Sequence, residues 1–414
     1  MFALGKCIMA LAAWLAFANL SGATDTQVKL GERFKWEIPV LLSNELEGSI
    51  KIRGEGVIEC YRGIKLSEIY HVTSGIFYRY LANGIEIGDE SGVLTYGLAE
   101  VRLKPRYESS FVVYNRRAYR GYVRCIYSES PKGIQVLNIV DLEDYLKGVL
   151  PGEIGDRARD EFEAVKAQAV AARTYAIWKL ADTSASGLLL PTVADQLYTG
   201  YDTEKEFLNL GVEQTKGEIL TFRSGPIAAY YHAVCGGQTA PIEKIWPEKQ
   251  AREYLIGVKD SNFCAWAKTY RWNETYSIDS LKKTFGGYFF SRGGARKEDF
   301  TEITDIIFSV DGKSGRVKLM QVITPGGVYR EISDKIRWAL GRSSSPGAIL
   351  PSTRFDVEKI IVDDRLESLK IAGTGNGHGV GMCQCGAIGR SRAGEKYDDI
   401  LHHYYGPVDL IRLY

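Results

Sequence analysis

Between Thr24 and Val140 the apolar positions fall in short β-branched and aromatic runs, as in GSIKIRG, FVVYN, YVRCIYS and IQVLNIV, each bounded by Gly, Asn or Ser. Such runs predict strands joined by turns. The pattern changes at LEDYLKGVLPGEIG, residues 142–155. Its first half has helical character, and Pro151 with Gly152 predicts a helix stop followed by a turn that carries Glu153. Next comes the clearest helix, Asp160 to Asp182, rich in alanine and free of Gly and Pro. Acidic residues open it, as the helix dipole favours. Phe162, Val165, Ala169, Ala172 and Ala176 form an i, i+3, i+4 stripe for packing. Lys166 and Arg173, two turns apart, share another face.

Beyond this helix, a polar stretch near 195–202 leads to a β-like run ending in YYHAVCGG, and residues 276–353 alternate helix-like and strand-like pieces. In GNGHGVGMCQCGAIG, residues 375–389, six of fifteen positions are glycine, with His378, Cys383, Gln384 and Cys385 among them. Glycine at that density lets backbone approach a ligand or metal closely. The predicted class is α+β: a β-rich N-terminal part, then a mixed core with one main Ala-rich helix at about 160–182 and a Gly-rich loop near 375–389.

Charge narrows the partners. Lys+Arg number 52 against Asp+Glu 51, which gives no case for nucleic-acid binding. Lys6, the apolar run IMALAAWLAFA and small Ser21 and Ala23 predict a cleavable signal peptide over residues 1–23. The run is too short for a membrane span, and no second one follows. A mature chain without a transmembrane span, secreted, periplasmic or cell-wall associated, is therefore expected. Loss of Cys7 with the signal leaves Cys60, Cys125, Cys235, Cys264, Cys383 and Cys385. An even number in an oxidising compartment favours disulfides.

Three clusters can carry chemistry. Partial burial of Glu153 would raise its pKa toward the range of a general acid near neutral pH. Lys166 and Arg173 can hold hydroxyl, acetamido or carboxylate groups. The nearby cations oppose the burial effect on Glu153, so the net sign stays open. His232 and Cys235, spaced H-x-x-C, could join Cys264, His378, Cys383 and Cys385 in a structural zinc site. Disulfides among the same cysteines compete equally with the metal.

These segments, from LEDYLKGVLPGEIG through EAVKAQAVAARTYA, YYHAVCGGQTA, SGRVKLMQV and GHGVGMCQCGA to ILHHYYGP, resemble in order the stage II sporulation protein D / amidase enhancer family. The resemblance covers 118–414, a catalytic region, behind a β-rich lead-in at 24–117. It implies a peptidoglycan lytic transglycosylase that cuts MurNAc–GlcNAc linkages of peptide-stripped glycan strands, in sporulation or vegetative wall turnover. Glu153 matches the family's catalytic glutamate, and Lys166 and Arg173 its functional cations. Gln168 and His378 are further substrate contacts carried by the shared motifs. No cofactor is required for that chemistry. Some members hold zinc through His and Cys, which supports a metal here without fixing its ligands; His232, Cys235, Cys264 and Cys383 are the candidates. The alternative is a non-catalytic, glycan-binding enhancer of a cell-wall amidase. A second carboxylate across from Glu153, from Glu143, Asp144, Asp156 or Glu161, would instead make hydrolysis available. Asn376 and Cys385 stand where the family pattern has tryptophan.

Overall fold

The structure is a computed structural model that describes residues 36–181 and 187–414. The expected signal peptide and Asp182 lie outside the described residues. Twelve strands between Glu37 and Asp141 form two six-stranded sheets in which every pair is antiparallel. Alternation sets their faces. Along Tyr122–Glu129, Val123 and Cys125 point inward, while Lys132–Asp141 is buried over most of its length. The continuous apolar run IQVLNIV reflects a strand covered on both sides. Buried Asn138 stays satisfied by the carbonyls of Arg120 and Tyr122 and by the Tyr198 hydroxyl. These two strands lie inside the first sheet, so the β-rich part runs on past residue 117 to Asp141.

The chain turns directly from sheet to helix there. The Asp141 carboxylate accepts from Glu143 N–H at 3.0 Å and caps Leu142–Glu153 (α1). Contrary to the expected stop, α1 continues through Pro151 and Gly152. The Ile154 N–H closes the last turn on the Leu150 carbonyl at 2.9 Å. Glu153 is thus the last helical residue rather than a turn residue. Gly152 is needed for packing: a Cβ there would lie 2.7 Å from the Leu197 carbonyl oxygen.

A short 3₁₀ turn, Arg159–Glu161, leads into Phe162–Ala181 (α2). Residues 164–177 of α2 are buried except Lys166. Its alanines therefore serve close packing on all sides, not one apolar stripe. Around it lie α1, Glu206–Gln214 (α3), Gln384–Arg392 (α5), Tyr397–Tyr405 (α6) and the strand Glu218–Phe222. Ile278–Ser291 (α4) belongs to a separate unit between Arg271 and Thr374, where two three-stranded sheets enclose a core that includes Phe285, Phe300, Met320 and Leu369. Arg271 pairs with Thr374, so this insertion leaves and returns at one place and delivers the chain to Gly375. Only part of the expected 375–389 loop is loop. Met382–Cys383 pairs in parallel with Tyr231–His232, and α5 follows at once. Among the described residues no helix is long and apolar enough to cross a membrane.

Candidate active site around Glu153

Glu153 is partly exposed at the C-terminal end of α1. Its Oε1 accepts from Leu197 N–H at 2.6 Å. Gln384, the first residue of α5, donates from Nε2 to the Glu153 carbonyl at 3.0 Å and lies 3.5 Å from Oε2. The same Nε2 reaches Gln168 Oε1 at 3.3 Å. Gln168 is buried, and its own Nε2 donor has no protein partner. Behind Leu197, the Gln196 amide is fixed by Tyr145, by the Ala172 carbonyl and by the Tyr231 hydroxyl.

Burial raises the Glu153 pKa, and the Leu197 N–H, Gln384 and the Tyr231 hydroxyl oppose it in part. The negative end of α1 acts in the same direction as burial. No charged side chain contributes, so the cationic influence weighed from the sequence does not operate. Glu143 is held by Arg173, Gly217 N–H and Tyr414, Asp144 by Lys147, Asp156 by Lys205, and Glu161 by Arg392 and Ala158 N–H. None of these four carboxylates shares a hydrogen bond with Glu153.

The two cations expected beside Glu153 are engaged elsewhere. Lys166 Nζ pairs with Glu163 at 2.6 Å and lies over the Tyr397 ring. Arg173 has no exposed surface; it forks onto Glu143 at 2.9 and 2.7 Å and donates to the carbonyls of Glu218 and Val212. That guanidinium ties α1, α2 and α3 together and meets no ligand in this conformation. Both His378 nitrogens serve backbone. Nε2 donates to the Tyr231 carbonyl at 2.9 Å, and Nδ1 accepts from Val380 N–H at 3.1 Å. Burial, then Arg337, pushes its pKa down to about 3, so the ring is neutral. Trp246 packs on it at 4.9 Å, Tyr230 packs on Trp246, and Trp178 and Tyr175 continue the cluster. Trp178, Tyr230, Trp246 and His378 are each partly exposed. An aromatic surface is thus present although Asn376 replaces the family's tryptophan.

Of the metal candidates, Cys235, Cys264 and Cys383 come together, and the fourth group is Asp260, not His232; the four ligand atoms lie within 4.8 Å of one another and all are buried. The strand Tyr231–His232 ends at His232 and the chain bends at Ala233 before Cys235, so the H-x-x-C spacing does not bring both side chains to one ion. His232 Nδ1 instead donates to the Val380 carbonyl. Cys385 lies outside the cluster. Nor do the expected disulfides form: among the described residues all six cysteines are free. Cys60 and Cys125 both pair with Val101, on either side of one strand. That puts them about 10 Å apart, beyond the reach of an S–S bond.

Sequence reasoning noticed Gln384 without giving it a role and missed Tyr231, Gln196 and Asp260. The D-x-x-x-C spacing of Asp260 and Cys264 was the available signal for the last.

Residues 130–222 match the stage II sporulation protein family, and residues 243–381 match a domain of unknown function, DUF8618. An uncharacterised protein of Brachyspira hyodysenteriae is 32% identical over 281 residues, 67% of this chain and 68% of that protein. The amidase enhancer of Bacillus subtilis is 30% identical over 82% of this chain and 50% of its own length. Stage II sporulation protein D of the same organism is 27% identical over 66% of this chain and 74% of its own. The chain belongs to the stage II sporulation protein D / amidase enhancer family.

Proposed function

We propose that this chain remodels the bacterial cell wall as a lytic transglycosylase, cutting glycan strands between MurNAc and GlcNAc, with Glu153 as acid and then base. The observation that carries the reading is an isolated carboxylic acid with a raised pKa at a partly exposed position, framed by amide donors. Glu153 donates its proton to the glycosidic oxygen, and the departing sugar keeps that oxygen as a hydroxyl. The carboxylate then takes the proton of the MurNAc 6-hydroxyl, whose oxygen closes on C1. Bonds and protons balance without water, and the internal nucleophile has a high effective molarity. One carboxylate suffices, in contrast to a hydrolytic pair.

The Tyr230–Trp246–His378 surface suits sugar stacking, while buried Gln168 acts by position, its Oε1 accepting from Gln384. Arg173 acts by positioning α1 rather than by touching glycan, and Lys166 contributes through the Glu163–Tyr397 face. A cell-wall or periplasmic location and peptidoglycan as partner follow from this reading.

A second reading is favoured by the likeness to an amidase enhancer: the chain binds glycan and stimulates an amidase without cutting. Purified peptide-stripped glycan separates the two. The enzyme reading expects new chain ends from wild type and at least ~100-fold fewer from Glu153→Gln. Equal glycan binding with no new ends from either protein supports the enhancer.

A further inference from the structure

We infer that Cys235, Asp260, Cys264 and Cys383 bind one zinc ion, and that this ion fixes the start of α5 so that Gln384 meets Glu153. The donor set is three thiols and a carboxylate from three segments far apart in sequence, all buried. Cys235 Sγ and Cys264 Sγ are 3.5 Å apart. A tetrahedral zinc site with Zn–S bonds of about 2.3 Å sets its sulfurs about 3.8 Å apart, whereas a disulfide needs about 2.05 Å. The separation is that of two ligands on one ion.

The surrounding groups prepare the ligands as a thiolate site requires. Gly237 N–H donates to Cys235 Sγ at 3.3 Å, and Cys383 Sγ accepts from Cys235 N–H at 3.2 Å and Gly386 N–H at 3.3 Å. These donors stabilise sulfur as an anion. Asp260 Oδ1 is held by the Tyr404 hydroxyl at 2.6 Å and by Arg390 at 3.4 Å, while Oδ2 faces Cys235 Sγ at 3.3 Å. One oxygen is thus anchored and the other aimed at the sulfurs. Gly386 makes this possible, since a side chain there would collide with Asp260 and the Tyr404 hydroxyl.

Cys383 is also the N-cap of α5, and the next residue is Gln384. An ion on Cys383 therefore pins the helix end whose first side chain bonds the Glu153 carbonyl. It stands outside the sugar chemistry and acts on it by position. The metal assignment does not depend on the glycan-cutting reading.

The test is metal and thiol analysis of the full chain purified with reductant and zinc present. One zinc per chain is expected, and cobalt(II) exchange should give the thiolate charge-transfer and tetrahedral d–d bands. Asp260→Asn and Cys264→Ser should lose the ion, while His232→Ala and Cys385→Ser keep it. Chelation should cut the hydrogen-exchange protection of residues 384–388 by at least about tenfold and leave that of the N-terminal sheets unchanged. No metal with all six mature thiols reactive, a Cys235–Cys264 disulfide, or full zinc in both ligand variants overturns the site. Zinc bound at the cluster with unchanged protection of 384–388 overturns its positioning role. Because metal content and cobalt spectra are read on wild type, a ligand variant that fails to fold leaves the test intact.

Discussion

The two oxygens of Glu153 have different surroundings. Oε1 accepts a short bond from Leu197 N–H at 2.6 Å, while the Gln384 amide approaches Oε2 at 3.5 Å. The proton needed for acid catalysis therefore belongs on Oε2. Since burial raises the pKa, the folded chain holds this proton more tightly than the unfolded chain. Stability accordingly falls as pH rises from the ordinary glutamate range through the raised folded value. Glu153→Gln removes that dependence and keeps an acceptor for Leu197. Chemical denaturation should find it more stable than wild type at neutral pH, with the advantage gone in acid. An advantage independent of pH would contradict this. Gln384 opposes the rise, so Gln384→Leu should move the alkaline limb of the cutting rate to higher pH. A limb moved downward would remove Gln384 from the site.

The helices show what sequence pattern can and cannot convey. Helical periodicity and the N-terminal acids were enough to find α2. The same alanines could not disclose that it is buried on nearly every side, because small apolar residues suit an exposed helix and a central one alike. That ambiguity hid the position of Arg173, whose partners come from α1 and from residues 212 and 218. Arg173→Met should destabilise the chain by about 3–5 kcal/mol, the cost of stranding a buried carboxylate, as read by urea unfolding. A normally stable variant that had lost glycan affinity would return Arg173 to a binding role. Pro151 and Gly152 misled for a related reason: they signal a stop locally, yet tertiary contact with Leu197 carries the helix one residue further. Gly152→Ala should cost about 1–3 kcal/mol by overpacking and lower kcat by displacing the Leu197 N–H from Glu153.

On the scale of the whole molecule, the strand-rich beginning was legible because β-branched runs between turn residues have few other readings. The insertion was not, since its helix and strands look locally like the rest. Its ends meet at Arg271 and Thr374, and it encloses its own apolar core. Replacing residues 272–373 by a short turn should leave the remaining chain cooperatively folded, as judged by circular dichroism and thermal unfolding. A molten chain would show that the two cores are interdependent. The assembly of Cys235, Asp260, Cys264 and Cys383 is likewise a product of tertiary folding, since only Asp260 and Cys264 lie close in sequence and the other two come from distant segments.

The most direct test is mass spectrometry of products from peptide-stripped glycan incubated with the full chain. The account predicts disaccharide units ending in 1,6-anhydro-MurNAc, lighter by one water than hydrolysed units, from wild type and none from Glu153→Gln. Products carrying that extra water, or equal anhydro yields from both proteins, would contradict it.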